Sequence, residues 1–325
     1  MMYSSSDLLK KVNDGIAGLK YSREPKGLYE PITYVLSLGG KRLRPVLMLL
    51  AYNIYKEEVD AALMPALGIE MYHNYTLLHD DLMDRADMRR NKPTVHKVWN
   101  DNVAILSGDT MLVLAYRLMA RCGEVHLKEV LDLFSLTALE IGEGQQYDME
   151  FETRNDVTEA EYIEMIRLKT SVLLAASLKI GAVLAGAPST DCDILYDFGV
   201  QIGLAFQLQD DYLDVYGDPA TFGKKIGGDI LCNKKTYMLI NALRNADDRQ
   251  REELQMWLEK KDFLPEEKIS AVTKIYNETC IRELCSRKID SIFAAGMTRL
   301  DQLSVSAERK ENLRQFALSL MHRKV

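Results

Sequence analysis

Two stretches of this chain carry the same unusual pattern, and between them they restrict what it can fold into. Leu78-His79-Asp80-Asp81-Leu82-Met83-Asp84 places three carboxylates at i, i+1 and i+4 at the end of an apolar, helix-patterned run. Phe206-Gln207-Leu208-Gln209-Asp210-Asp211-Tyr212-Leu213-Asp214 repeats that spacing in a second apolar segment. On an α-helix these positions fall within an arc of roughly 100°, so each trio leaves one helix face together. One trio alone would read as a solvated acidic face. Two matched trios on apolar helices make poor surface, because like charges so close repel. They make sense if two helices turn their acids toward a cavity holding divalent metal. Oxygen ligands at this density suit Mg²⁺, which retains waters and shares its shell with substrate phosphates.

The rest of the chain fits a large helical protein. Of 325 residues, 47% are hydrophobic, enough for a sizeable core, and helix periodicity dominates while bounded strand-like alternation is almost absent. Pro31, Pro45, Pro65 and Pro265 sit where helices can begin, and Thr158-Glu159-Ala160-Glu161 is a capping-box pattern. With no Ser/Gly-rich linker and no shift in composition, the expectation is one all-α domain over residues 1–325, a bundle of about ten or more helices around a central cavity. A net charge of −7 argues against a nucleic-acid partner. Five scattered cysteines read as free thiols of a reducing compartment. The start Met1–Asp7 lacks a basic-then-apolar signal, and no uncharged apolar run reaches the roughly 18 residues of a membrane span. A cytoplasmic protein is expected.

Basic groups collect in three loops. Gly39-Gly40-Lys41-Arg42-Leu43-Arg44-Pro45 combines backbone freedom, three cations and a helix start, which is either an anion site or a helix end with solvated charge. Arg89-Arg90 follow the first acidic trio and either neutralise it or clamp a diphosphate. Gly223-Lys224-Lys225-Ile226-Gly227-Gly228-Asp229, with Lys234-Lys235, follows the second trio but lacks Walker spacing, so a nucleotide kinase does not fit. Two acidic clusters and three basic loops describe a site for two diphosphates. Beneath the acids lie Tyr72, Tyr75, Thr76, Leu77 and Leu78, and Leu204 with Phe206, which are ordinary core or the wall of a pocket for an apolar tail. The chemistry suggested is metal-assisted departure of diphosphate from an allylic lipid, with capture of the carbocation by a second substrate.

In these motifs the sequence resembles the trans-isoprenyl diphosphate synthases, the polyprenyl synthetase family, from about Gly39 to Lys235. The family makes farnesyl, geranylgeranyl and longer prenyl diphosphates on an all-helical fold, usually as a homodimer. The resemblance implies that Asp80 and Asp84, with Asp81, hold Mg²⁺ at the first motif. It implies Asp210 as principal ligand of the second, supported by Asp211 and Asp214, with about three ions per site. Asp148, in Gly144-Gln145-Gln146-Tyr147-Asp148, matches a further metal-supporting acid. Lys41, Arg44, His73 and Arg90, beside Gly40, match contacts to isopentenyl diphosphate; Arg89, Lys169, Lys224 and Lys234 match contacts to the allylic diphosphate. Lys169, Thr170 and Gln207, next to Phe206, match the groups beside the developing cation, and the departing diphosphate is the implied proton acceptor.

Three departures stand out: Asn91 replaces the usual Gly after the paired arginines, Lys224 and Lys225 compete for one role, and Arg323-Lys324 only loosely matches a basic tail. For product length, Thr76 lies roughly 6 Å below Asp80 on an ideal helix and nearly under it, while Tyr75 lies roughly 7.5 Å below and to one side. The resemblance instead points to Tyr75, a bulky ring five residues before the first Asp, with Tyr72 as the next stop. With no insertion in the first motif, it implies a twenty-carbon product, fifteen being the alternative. A class I terpene cyclase would carry an Asn/Ser/Glu motif in place of the second aspartate trio. A non-catalytic partner subunit would have lost the first-motif acids or the isopentenyl cations.

Overall fold

The computed structural model describes residues 2–218 and 226–321. It is all-α, as the periodicity predicts. Among the described residues the only strands are Met88–Arg89 and Lys92–Pro93, paired antiparallel, and no single helix is long and apolar enough to cross a membrane. The chain divides into two compact units, the first being Met1–Ser135, Ala176–Leu195 and Ser304–Leu313, the second Leu136–Ala175, Tyr196–Leu303 and Arg314–Val325. Because three segments build each unit, no composition shift along the sequence could mark them.

The first unit contains α1 (Ser5–Gly18), α2 (Lys26–Ser37), α3 (Leu43–Tyr55), α4 (Asp60–Met83), α5 (Val95–Val98) and α6 (Asp101–Met119). A reciprocal cap between Ser4 and Asp7 starts α1. α3 is buried from Pro45 to Ile54, as its nearly uninterrupted apolar sequence requires. Two glycines bring helices together: a Cβ on Gly68 of α4 would sit 3.0 Å from Met119 N of α6, and one on Gly181 would sit 2.2 Å from Met48 O of α3. Pro45 stands in the first turn of α3, but Pro31 and Pro65 lie inside α2 and α4 rather than at their starts. Each is the sixth residue of its helix, beyond the first four unpaired N–H groups, so each costs its helix one backbone hydrogen bond.

α7 (Leu127–Thr153), α9 (Val172–Leu184), α10 (Ser189–Tyr216) and α16 (Ala307–Met321) supply residues to both units. The second unit also holds α8 (Glu159–Ile166), α11 (Gly228–Leu231), α12 (Tyr237–Asn245), α13 (Asp248–Glu259), α14 (Pro265–Glu278) and α15 (Ile281–Asp301). The expected capping box forms, Thr158 and Glu161 satisfying one another's backbone donors at the start of α8. The core gathers Tyr162, Leu208, Leu254, Ile275, Tyr276 and Ile281. Between α8 and α9 the helix widens into a π-turn over Arg167–Ser171. Such a turn has no local sequence cause here. It is seated by two glycines: a Cβ on Gly144 would meet Lys169 N at 2.4 Å, and one on Gly203 would meet Ser171 Cα at 2.6 Å.

Candidate active site

α4 delivers the first acidic trio. Asp84 N donates to Asp80 O at 2.9 Å, so the helical spacing continues through the cap and stacks these two acids one turn apart. Asp81 is already engaged. Arg89 Nε donates to both its oxygens at 2.8 Å, and Arg89 Nη2 lies 3.8 Å from Asp80 Oδ2. Burial raises the Asp81 carboxyl above its usual range, with Arg89 opposing. Arg89 thus neutralises part of the first motif in this state.

Arg90 and Asn91 form the two-residue turn of the small hairpin, both left-handed at φ 51° and 61°. Asn tolerates this region better than most side chains, which accounts for Asn91 where glycine was expected. Arg90 Nη1 donates to Gly39 O, and its guanidinium lies against Gly40, where a Cβ would be 2.8 Å from Arg90 Cζ. With φ +134° as well, Gly40 is needed for both space and backbone.

The cations of the first basic loop are not equivalent. Of its three cations, Arg42 is buried and turned inward, its Nη1 2.6 Å from Glu70 Oε1 and its Nη2 donating to Leu36 O. Asn74 Nδ2 donates to the same Glu70 oxygen at 2.9 Å. Arg44 Nη1 is 3.1 Å from His73 Nε2, and since guanidinium only donates, that nitrogen accepts and the imidazole proton is on Nδ1. Burial, then Arg44, Arg90, Arg89 and Arg42, holds His73 well below the usual imidazole range, so it is neutral. Burial also lowers Arg44 to about 10, with Glu70 opposing and Arg90 adding, so it stays charged at neutral pH.

One turn below the acids, Tyr75 packs edge-on to His79 at 4.9 Å between centroids and tilts against Tyr72 at 5.4 Å; Tyr72 meets Phe134 at 5.2 Å. Thr76 bonds its own helix through His73 O. His79 lies over Gly108, where a Cβ would be 2.1 Å from Nε2 and would push the ring aside. Sequence reasoning missed this support; Gly108 inside an apolar helix was its one trace.

The second trio lies on α10. Asp211 is buried and accepts from Tyr162 Oη and, at 3.0 Å, from Gln207 Nε2. Burial raises both groups, and because a phenol ordinarily titrates far above a carboxyl, the proton between them sits on Tyr162, which donates. Asp214 accepts from Asp229 N at 2.9 Å, and Lys234 Nζ is 4.0 Å from Asp229 Oδ1, which ties the following loop to the motif. Lys235 is buried against backbone carbonyls, so Lys234 is the more accessible of that pair. In the π-turn, Lys169 pairs with Asp148 at 2.6 Å and Thr170 Oγ1 donates to Gln207 Oε1 at 3.1 Å. Lys224, Lys225, Arg323 and Lys324 lie outside the described residues.

Among the described residues no three His, Cys, Asp or Glu side chains converge into a ready-made metal cage. That is compatible with Mg²⁺, which is usually held by one or two carboxylates together with waters and substrate phosphates. The acids of each trio carry oxygens of the hard kind such an ion takes; Asp81 accepts from Arg89, and Asp211 accepts from Tyr162 and Gln207.

Residues 25–278 match the polyprenyl synthetase family. The short chain isoprenyl diphosphate synthase of Methanocaldococcus jannaschii is 39% identical over 268 residues, 82% of this chain and 81% of that protein. The geranylgeranyl diphosphate synthase of Methanosarcina mazei is 43% identical over 224 residues, 68% of this chain and 69% of that one. A crystal structure of a geranylgeranyl pyrophosphate synthase superposes with a TM-score of 0.94 at 42% identity, covering 100% of both chains. The chain belongs to the polyprenyl synthetase family and is a trans-prenyltransferase of isoprenoid biosynthesis with the isoprenoid synthase fold.

Proposed function

We propose that this chain joins isopentenyl diphosphate head-to-tail to dimethylallyl, geranyl and farnesyl diphosphates in turn, and stops at the twenty-carbon geranylgeranyl product. The observation that carries this reading is the cationic cluster around neutral His73. Arg44 and Arg90 are bonded to neutral partners, the imidazole and a backbone carbonyl. Charge in that state calls for an anion, and a second diphosphate supplies one. A terpene cyclase, which ionises a single diphosphate, has no use for such a site, and that alternative is not favoured.

Lys41, Arg44, His73 and Arg90 bind the isopentenyl diphosphate. Arg89, Lys169 and Lys234, with Lys224 outside the described residues, bind the allylic diphosphate. Asp80, Asp84 and Asp210, supported by Asp81, Asp148, Asp211 and Asp214, would hold about three Mg²⁺; bound there, the ions draw negative charge onto the leaving diphosphate. Thr170 and Gln207 present a hydroxyl and a carbonyl oxygen to the allylic carbon as positive charge develops, an interaction realised only on ionisation. The double bond of the isopentenyl group then attacks, and the departing diphosphate takes the proton. Phe206 lines the apolar tail, and Tyr75, backed by Tyr72, forms its floor with Thr76 beside it.

The assembly we propose is a single polyprenyl synthetase domain over residues 1–325, working as a cytoplasmic homodimer. Support for the dimer is a set of exposed apolar residues on α6, Ile105, Leu106 and Val113. Steady-state kinetics test the two-diphosphate site. Arg44→Ala is expected to raise KM for isopentenyl diphosphate about tenfold or more, and Lys169→Ala to act on the allylic substrate. Equal effects of both variants on both substrates would contradict the assignment.

A further inference from the structure

Tyr162 belongs to no motif, yet it is 0% exposed and its hydroxyl points at the second acidic trio. It opens a continuous chain of hydrogen bonds. Tyr162 Oη donates to Asp211 Oδ2, Gln207 Nε2 donates to Asp211 Oδ1 at 3.0 Å, and Thr170 Oγ1 donates to Gln207 Oε1 at 3.1 Å. We propose that Tyr162 is a positioning residue, which acts through Asp211 to hold the Gln207 amide with its carbonyl end, not its NH₂ end, toward Thr170 and the reacting carbon. This rests on the reading of Thr170 and Gln207 given above.

The two ends of a carboxamide are nearly the same size, so packing does not choose between them; hydrogen bonding does. A carboxylate only accepts, and it therefore takes the NH₂ end. Asp211 stands one turn beyond Gln207 on α10, the spacing at which two side chains meet. Its second oxygen is fixed by Tyr162, arriving from α8, so the carboxylate cannot swing away. At the other end Thr170 cannot retreat, because the π-turn carrying it is packed on Gly144 and Gly203, each without room for a methyl group. An amide released from this chain would turn its positive NH₂ edge toward a developing cation. The arrangement gives Asp211 an orienting role, distinct from that of Asp210 beside it.

Tyr162→Phe keeps the ring and removes the donor. The expected result is a fall in kcat of about tenfold or more, with KM for isopentenyl diphosphate and the Mg²⁺ half-saturation unchanged. In a Gln207→Leu background the same substitution should cost nothing further, because both act through one group. A purely structural role predicts additive losses in that cycle, and additivity overturns the proposal. If Tyr162→Phe does not fold, Asp211→Asn is read in the same way. A kcat loss at saturating Mg²⁺ that vanishes in the Gln207→Leu background supports the orienting role, and an additive loss overturns it. Wild-type turnover in Gln207→Leu alone overturns the assignment of Gln207 and this proposal with it. A slow Gln207→Leu beside a wild-type Tyr162→Phe overturns this proposal only.

Discussion

Arg42 and Glu70 form an ion pair at 2.6 Å with side chains only 3% and 2% exposed, directly beneath the loop that presents Lys41 and Arg44. Arg42 is also left-handed, at φ 50°, where it starts α3. The pair therefore holds a backbone conformation that a non-glycine residue adopts only under constraint. Removing one partner leaves a buried charge uncompensated. Glu70→Ala is expected to lower unfolding free energy by about 3–5 kcal/mol in urea denaturation. A loss below about 1 kcal/mol would mean that solvent reaches Arg42 freely.

His73 gives a pH dependence of definite sign. Its folded pKa is depressed, so below the ordinary histidine value the unfolded chain takes up a proton that the folded protein refuses. Stability from this group is full at neutral pH and is lost as pH falls from about 7 toward 5, by up to about 1.4 kcal/mol per pH unit. Asp211, raised by burial, has the opposite sign over acidic pH, so the comparison with a variant is essential. His73→Gln keeps an acceptor for Arg44 and should flatten the slope of melting temperature against pH relative to wild type. Parallel slopes would contradict a neutral imidazole.

Asp80 and Asp210 should matter to turnover and not to folding. Asp80→Ala and Asp210→Ala are each expected to lower turnover with Mg²⁺ by orders of magnitude, as loss of a metal contact does. Without metal the melting temperature should hold or rise, because a like charge has left a crowded cluster. Near-normal turnover in Asp80→Ala would remove it from the ligand set.

Much of this was legible in the sequence, and what was not shares a physical reason. The carboxylate trios announce themselves because i, i+1, i+4 acids in an apolar run have no good structural excuse. Which acid is already satisfied does not show, since the partner comes from another element: Arg89 for Asp81, and Tyr162 for Asp211, 49 residues away. Arg42 and Arg44 look alike in the loop and differ only once Glu70, 28 residues on, claims one of them. The π-turn that carries Lys169 and Thr170 is likewise set by packing on Gly144 and Gly203, not by its own residues.

In the function proposed above, product length is set by one ring. Tyr75 is braced between His79 and Tyr72, which suits it to that part better than a loose side chain would be. Tyr75→Ala is expected to shift the products beyond twenty carbons, with Tyr72 as the next stop. An active variant with an unchanged product spectrum would move the floor to another helix.

The central claim is that this chain by itself builds a twenty-carbon trans-prenyl diphosphate from two diphosphate substrates. Its most direct test is mass spectrometry of the products formed by the purified wild-type chain, with no partner added, from isopentenyl diphosphate and dimethylallyl diphosphate in Mg²⁺. The account predicts all-trans geranylgeranyl diphosphate as the main product and none in EDTA. Diphosphate released from the allylic substrate alone, without condensation, or no turnover until a second protein is supplied, would contradict it.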